Sequence, residues 1–74
     1  MEYEKNATYT ADHKPSGETW HIVGIDTEGD RVCAAGWPPT ITKLSDCENF
    51  RDPQPITDDE LEFRCRYFPS DSWI

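Results

Sequence analysis

Fifteen carboxylates, three cysteines and two histidines are the side chains of this 74-residue chain whose types could do chemistry. A general acid/base pair of carboxylates needs burial or a charged neighbour to move its pKa, and therefore a cleft. A chain this short has one thin core and rarely builds one. Cys33, Cys47 and Cys65 are odd in number, and their spacings of fourteen and eighteen residues match no zinc-ligand pattern. Free thiols in a reducing cytosol are the expectation. No Gly-rich turn flanks any cysteine to prepare a thiolate and an oxyanion hole. His21, beside Trp20, reads as a satisfied, partly buried histidine, and His13 lies in a polar N-terminal stretch. There is no Gly-rich phosphate loop. The expectation is therefore a protein without catalytic residues, bound metal or cofactor.

Charge points to binding instead. The formal net charge is −8, which repels phosphate backbones and anionic lipid headgroups and makes a basic protein surface the natural complement. The acidity is local: residues 45–74 hold eight acids against three bases, residues 18–44 four against two, and residues 1–17 three against two. Asp52, Asp58, Asp59, Glu60 and Glu62, joined by Asp46 and Glu48, are the candidate contact residues, with Arg64 and Arg66 at the edge. On an extended chain same-face carboxylates recur at roughly 6.5–7 Å, close to the through-space separation of nucleic-acid phosphates. The competing reading is a solvated face whose acids serve solubility and pair with the two arginines. Trp37, ahead of two prolines, is a candidate interface anchor. Both it and Trp73 are also rings that a small core would use, and the expectation is that they fold back onto it.

The elements that must position these groups read mostly as strands. Residues 1–17 form a polar, partly mobile arm in which Thr8-Tyr9-Thr10 can pair, ending at the turn signal Lys14-Pro15-Ser16-Gly17. Residues 18–74 form a single small β domain. Thr19–Ile25 and Arg31–Ala35 are rich in β-branched and aromatic residues and predict a hairpin across Asp26–Asp30, with Gly29 as the left-handed residue. Trp20 and Ile22 point one way and Val23 and Ile25 the other, as in a small barrel, and Gly24 and Gly36 mark the bends. Thr40–Leu44 predicts a third strand. Ser45-Asp46-Cys47-Glu48 has capping-box form, yet Cys47–Arg51 also reads as strand, and both readings stand. Asp52-Pro53-Gln54-Pro55 reads as a rigid connector.

The last segment admits two readings as well. Thr57 and Glu60 have capping-box form, and Leu61, Cys65 and Phe68 share a helical face. Leu61, Phe63, Cys65 and Tyr67 alternate with Glu60, Glu62, Arg64 and Arg66, and this complete alternation favours a strand. On that strand the arginines offset the glutamates, so the charge excess falls in the connector at Asp52, Asp58 and Asp59. The fold class is all-β: a small curled antiparallel sheet or partly open SH3-like barrel of four to five strands, with at most one short helical turn.

Over Gly29-Asp30-Arg31-Val32-Cys33-Ala34-Ala35-Gly36-Trp37-Pro38-Pro39-Thr40, and on through Leu44-Ser45-Asp46-Cys47-Glu48, the chain resembles small accessory proteins of bacteriophages and prophages. The resemblance carries no functional residue. It implies an inhibitor of host defence, of the anti-CRISPR kind, that occupies a host nucleic-acid-binding complex in the bacterial cytoplasm. Met1-Glu2-Tyr3-Glu4-Lys5 has no apolar h-region, and no run approaches the length of a membrane span, so neither export nor membrane insertion is expected. The alternative is a small β-barrel assembly module that self-associates or docks in a larger complex.

Overall fold

The computed structural model describes residues 3–74. Strands β1 (Ala7–His13), β2 (Glu18–Asp26), β3 (Arg31–Ala35), β4 (Thr40–Lys43) and β5 (Cys47–Pro55) are followed by helix α1 (Asp58–Tyr67). The five strands form one antiparallel sheet in the order β4-β3-β2-β1-β5. The two edge strands are joined by a single 3₁₀ turn, Leu44–Asp46. A connection that short requires the sheet to curl until its edges approach, which gives the expected small curled sheet. His13 Nε2, on β1, lies 3.2 Å from Thr42 Oγ1 of β4, two strands beyond its own neighbour β2.

The predicted hairpin is β2–β3, with Asp26 opposite Arg31. Its left-handed residue is Asp30, at φ 52°, and not Gly29. Aspartate tolerates that region because its short side chain finds local partners; here it accepts hydrogen bonds from Ser45 N and Oγ, both at 3.1 Å, and so fastens the 3₁₀ turn. Gly29 is required for space. A Cβ there would meet Asp26 Oδ2 at 2.5 Å, while its N–H donates to Asp26 Oδ1 at 2.9 Å.

A bulge in β2 rearranges the faces. Ile22 pairs with Ala34 but Gly24 pairs with Cys33, so β2 holds one residue more than β3 between these pairs. Ile22 and Ile25, expected on opposite faces, therefore join one core cluster with Tyr9, Ala11, Val32 and Ala34. Cys33 alternates with Val32 and Ala34 and faces the other way, where Gly24 is crowded by Cys33, Arg64 and Trp73.

Residues 7–13 of the expected polar arm are β1, an interior strand between β2 and β5. Ala7, Thr8, Tyr9 and Ala11 are buried, and Tyr3 packs edge-on against Tyr9 and Phe50. Two small alanines and one large ring on a single face made the segment look polar by composition. Residues 1 and 2 of that arm lie outside the described residues. The expected connector Asp52–Pro55 is likewise the second half of β5. Prolines are admissible because β5 is an edge strand, and two bulges against β1 place Asn49 (φ 56°) and Asp52 (φ 53°) in the left-handed region. Of the two readings of Ser45–Arg51 the strand holds, as β5 from Cys47; the helical turn is a 3₁₀ turn over Leu44–Asp46 without the capping box, since Ser45 Oγ donates to Asp30 instead.

The strand expected over Glu60–Phe68 is instead α1. Thr57 Oγ1 accepts from Glu60 N at 3.2 Å, and Glu60 Oε1 accepts from Thr57 N at 2.9 Å, which closes the capping box. Asp58, Asp59 and Glu60 sit at the positive end of the helix dipole, and Arg64 and Arg66 at the negative end. Neither predicted apolar face is buried: Leu61, Cys65 and Tyr67 are exposed, and the buried helix residue is Arg64. The alternation was misleading because this helix turns an arginine to the sheet, where Nη1 donates to Val23 O at 3.0 Å.

Candidate functional site

The β3–β4 loop and α1 meet at one surface. Thr40 Oγ1 donates to Pro38 O at 3.0 Å across the loop, and the Trp37–Pro38 peptide is cis. Trp37 is 82% exposed, the most exposed large apolar residue among the described residues. It meets Tyr67 of α1 edge-on, with ring centroids 6.2 Å apart, and Tyr67 packs on Phe63 at 4.9 Å. One side of this aromatic row is a shallow depression of about 210 Å³ lined by Asp59, Glu62, Phe63, Arg66 and Tyr67. On the other side a groove of about 500 Å³ runs between the start of β2 and the β3–β4 loop, with Glu18, Trp20, His21, Gly36, Trp37 and Pro38 along it.

Helix α1 is fixed to the sheet at two places. Arg64 bonds Val23 O, and Glu60 Oε2 bonds His21 Nε2 on β2. Partial burial pushes the Glu60 carboxyl up, but the Thr57 N–H, His21 and the Thr57 hydroxyl outweigh it and leave it below the usual glutamate range. Beyond the helix, Trp73 Nε1 donates to Phe68 O at 2.8 Å, and Ile74 N donates to Ile25 O at 2.9 Å. Arg31 binds this tail: its guanidinium lies 4.5 Å from the Trp73 ring centroid and donates to Ser70 and Ser72. Its Nε also donates to Asp26 Oδ2 at 2.8 Å. Arg31, the Gly29 N–H and Ser72 together bring the Asp26 carboxyl down to about 2.

The predicted acidic contact residues divide among three elements. Glu48 and Asp52 are exposed on β5, the edge strand that pairs with β1, and Asp46 is half-buried in the 3₁₀ turn. Asp58, Asp59, Glu60 and Glu62 are on α1. Asp52 occupies a left-handed bulge position, which gives its residue type a conformational reason. Glu60 is committed to the capping box and His21. Glu62 is exposed, with Arg66 at 3.5 Å, and Asp58 and Asp59 are exposed. Trp37 meets α1 at Tyr67, which shares a surface depression with Asp59 and Glu62. Trp73 does fold back as expected, whereas Trp37 does not. Sequence reasoning missed Glu18, Trp20, Phe63 and Tyr67; Trp20 was read only as a hairpin residue, and the two aromatics only as one face of a strand.

The remaining reactive groups are constrained. Burial pushes the Cys33 thiol up to about 12 and raises Cys47 as well, the opposite of an activated thiolate. Cys65 is exposed, and all three cysteines are unpaired. His21 is exposed rather than partly buried as expected. His13 stacks on Trp20 with ring centroids 4.0 Å apart and contacts Ser16 and Thr42. Asp12 accepts from Asn49 and Arg51, which hold its carboxyl below the ordinary range. Among the described residues no group of three or more His, Cys, Asp or Glu is placed to hold a metal ion. Among the described residues no helix is long and apolar enough to cross a membrane.

Comparison with protein-family models, curated proteins and solved structures finds no match.

Proposed function

We propose that this is a non-enzymatic acidic binding protein that docks on a Lys/Arg-rich protein surface through the face made by Trp37 and α1. The observation that carries the reading is the exposed Trp37, backed by Tyr67, which lines a shallow depression together with the exposed carboxylates of Asp59 and Glu62. A rigid aromatic ring inside a charged rim is the arrangement in which a few anchors supply affinity, while the charges select the partner and raise the association rate. The partner class that fits is a nucleic-acid-binding complex, whose basic groove the acids would occupy; the resemblance to phage accessory proteins favours a host defence complex as that partner.

The test is capture from bacterial lysate at low and high salt, with wild-type protein and the Trp37→Ala and Glu62→Gln variants as baits. The reading requires a nucleic-acid-binding complex that is retained at low salt, released by salt or by competing DNA or RNA, and lost with Trp37→Ala. Retention that neither salt nor nucleic acid relieves would refute it. The exposed Trp37 also favours a second reading, self-association as an assembly module. A salt-insensitive homo-oligomer in sedimentation, dispersed by Trp37→Ala, would establish that instead.

A further inference from the structure

We infer that the groove between Trp20 and Trp37 is a slot for an arginine side chain of a basic polypeptide. The inference rests on the reading of this protein as a binder of basic surfaces, and it names the residue that is read and the residues that read it.

The two tryptophans line the same groove from different elements, Trp20 from β2 and Trp37 from the β3–β4 loop. Each packs against another ring. Trp20 is stacked on His13 at 4.0 Å with the rings 16° from parallel, and Trp37 is braced edge-on by Tyr67. Walls positioned before the ligand arrives lower the ordering cost of binding. The groove of about 500 Å³ is within the range of roughly 300–1,000 Å³ common for sites that take a small group. Among the described residues its lining carries one carboxylate, Glu18, and neither lysine nor arginine. The one ionisable base in it, His21, is already bonded to Glu60. Nothing in the groove therefore neutralises Glu18 or supplies a cation to the indole faces.

Indole faces attract cations through their quadrupole, and a planar, weakly hydrated guanidinium stacks on them where a strongly hydrated ammonium does not. Glu18 supplies the charge partner. With a net charge of −8 on the whole chain, the surrounding field also favours a cationic visitor over an anionic one. Arginine satisfies all three conditions, and a basic surface selected by the α1 acids would present it.

The experiment is titration of the intact protein with hexaarginine amide, hexalysine amide and hexacitrulline amide. It is followed by tryptophan fluorescence and by the indole N–H signals in a ¹⁵N correlation spectrum. Hexaarginine should shift the Trp20 and Trp37 indole signals and leave Trp73, whose N–H is donated to Phe68 O, in place. It should bind more tightly than hexalysine, and hexacitrulline should not bind. Trp37→Ala should weaken hexaarginine on the order of tenfold, and Glu18→Gln about threefold, with the backbone spectrum confirming the fold of each variant. If hexaarginine and hexalysine bind equally, or if the shifts map to Asp59 and Glu62 and spare Trp20 while Trp37→Ala still weakens binding, the slot is refuted and the basic-partner reading survives; if the shifts map to β5 and Trp37→Ala changes nothing, both are refuted. If no basic peptide binds, both are refuted.

Discussion

Gly24→Ala sets two effects of opposite sign against each other. The backbone at Gly24 is not left-handed, so alanine is conformationally allowed, and restricting the unfolded chain alone would stabilise the protein by about 0.4–1 kcal/mol. Space opposes this. The new Cβ would lie 2.6 Å from Cys33 Sγ, 3.0 Å from Arg64 Cδ and 3.1 Å from Trp73 Cδ2. Ordinary contact lies near 3.5–4.0 Å, so about an ångström must open on the sulfur side. Cys33 is fully buried, Arg64 is tied to Val23 O and Trp73 to Phe68 O, so none of the three moves freely. Overpacking of this kind costs about 1–3 kcal/mol, which outweighs the entropic gain. For a small domain whose total is about 3–5 kcal/mol, that loss is severe. Each kcal/mol lowers Tm by about 4–8 °C at this size. Urea denaturation followed by tryptophan fluorescence measures it, with the m-value unchanged. Cys33→Ala removes the nearest atom, so the double variant should be more stable than the sum of the singles by at least about 1 kcal/mol. A Gly24→Ala protein as stable as wild type, or strict additivity with Cys33→Ala, would refute the packing of α1 and the tail on the β2 bulge.

Three further outcomes are expected. Asp26 titrates at about 2 in the fold against 3.8 for the free side chain, so its contribution is complete above about pH 4 and is lost as the pH falls through about 2; acid titration of Asp26→Asn should lack that component of the acid limb. Thr57→Ala removes the N-cap acceptor of Glu60 N and should cost about 0.5–2 kcal/mol, with weakened helical circular dichroism. Asp52→Gly should leave stability unchanged or raised, while Asp52→Val, forcing a β-branched residue to φ 53°, should cost about 1–2 kcal/mol; neither should alter binding to a basic peptide.

The class of fold was legible because β2 and β3 carry β-branched and aromatic runs separated by a polar turn, and because Trp37-Pro38-Pro39 ends β3 on steric grounds alone. What was hidden turned on single backbone events. The bulge at Val23-Gly24 changes which residues share a face, and period-two counting cannot anticipate an extra residue. The bulges at Asn49 and Asp52 let a proline-containing segment pair as an edge strand where composition indicated a connector. At α1 the capping box was visible in Thr57 and Glu60, but the alternation outweighed it because a buried arginine was not considered as the inward residue. The groove was hidden for a different reason: Trp20 and Trp37 are seventeen positions apart in the sequence, and only the pairing of β2 with β3 brings them to one surface.

The helix also changes what the acids can be asked to show. Asp58 and Asp59 lie in the first turn of α1, where negative charge stabilises the helix by about 0.3–1 kcal/mol per group. Reversing them to lysine would place positive charge against the dipole and loosen the element that braces Trp37 through Tyr67. A loss of binding after such a reversal would therefore not separate contact from support. Glu62 is past the first turn and outside the capping box, and its neighbour Arg66 is an exposed partner of small energetic weight. Its neutralisation removes charge from the Trp37 face and spares the helix terminus. If binding depends on the field of this face, Glu62→Gln and Trp37→Ala must each weaken it at unchanged helical content, whereas an effect confined to Asp58 and Asp59 would locate their contribution in the stability of α1.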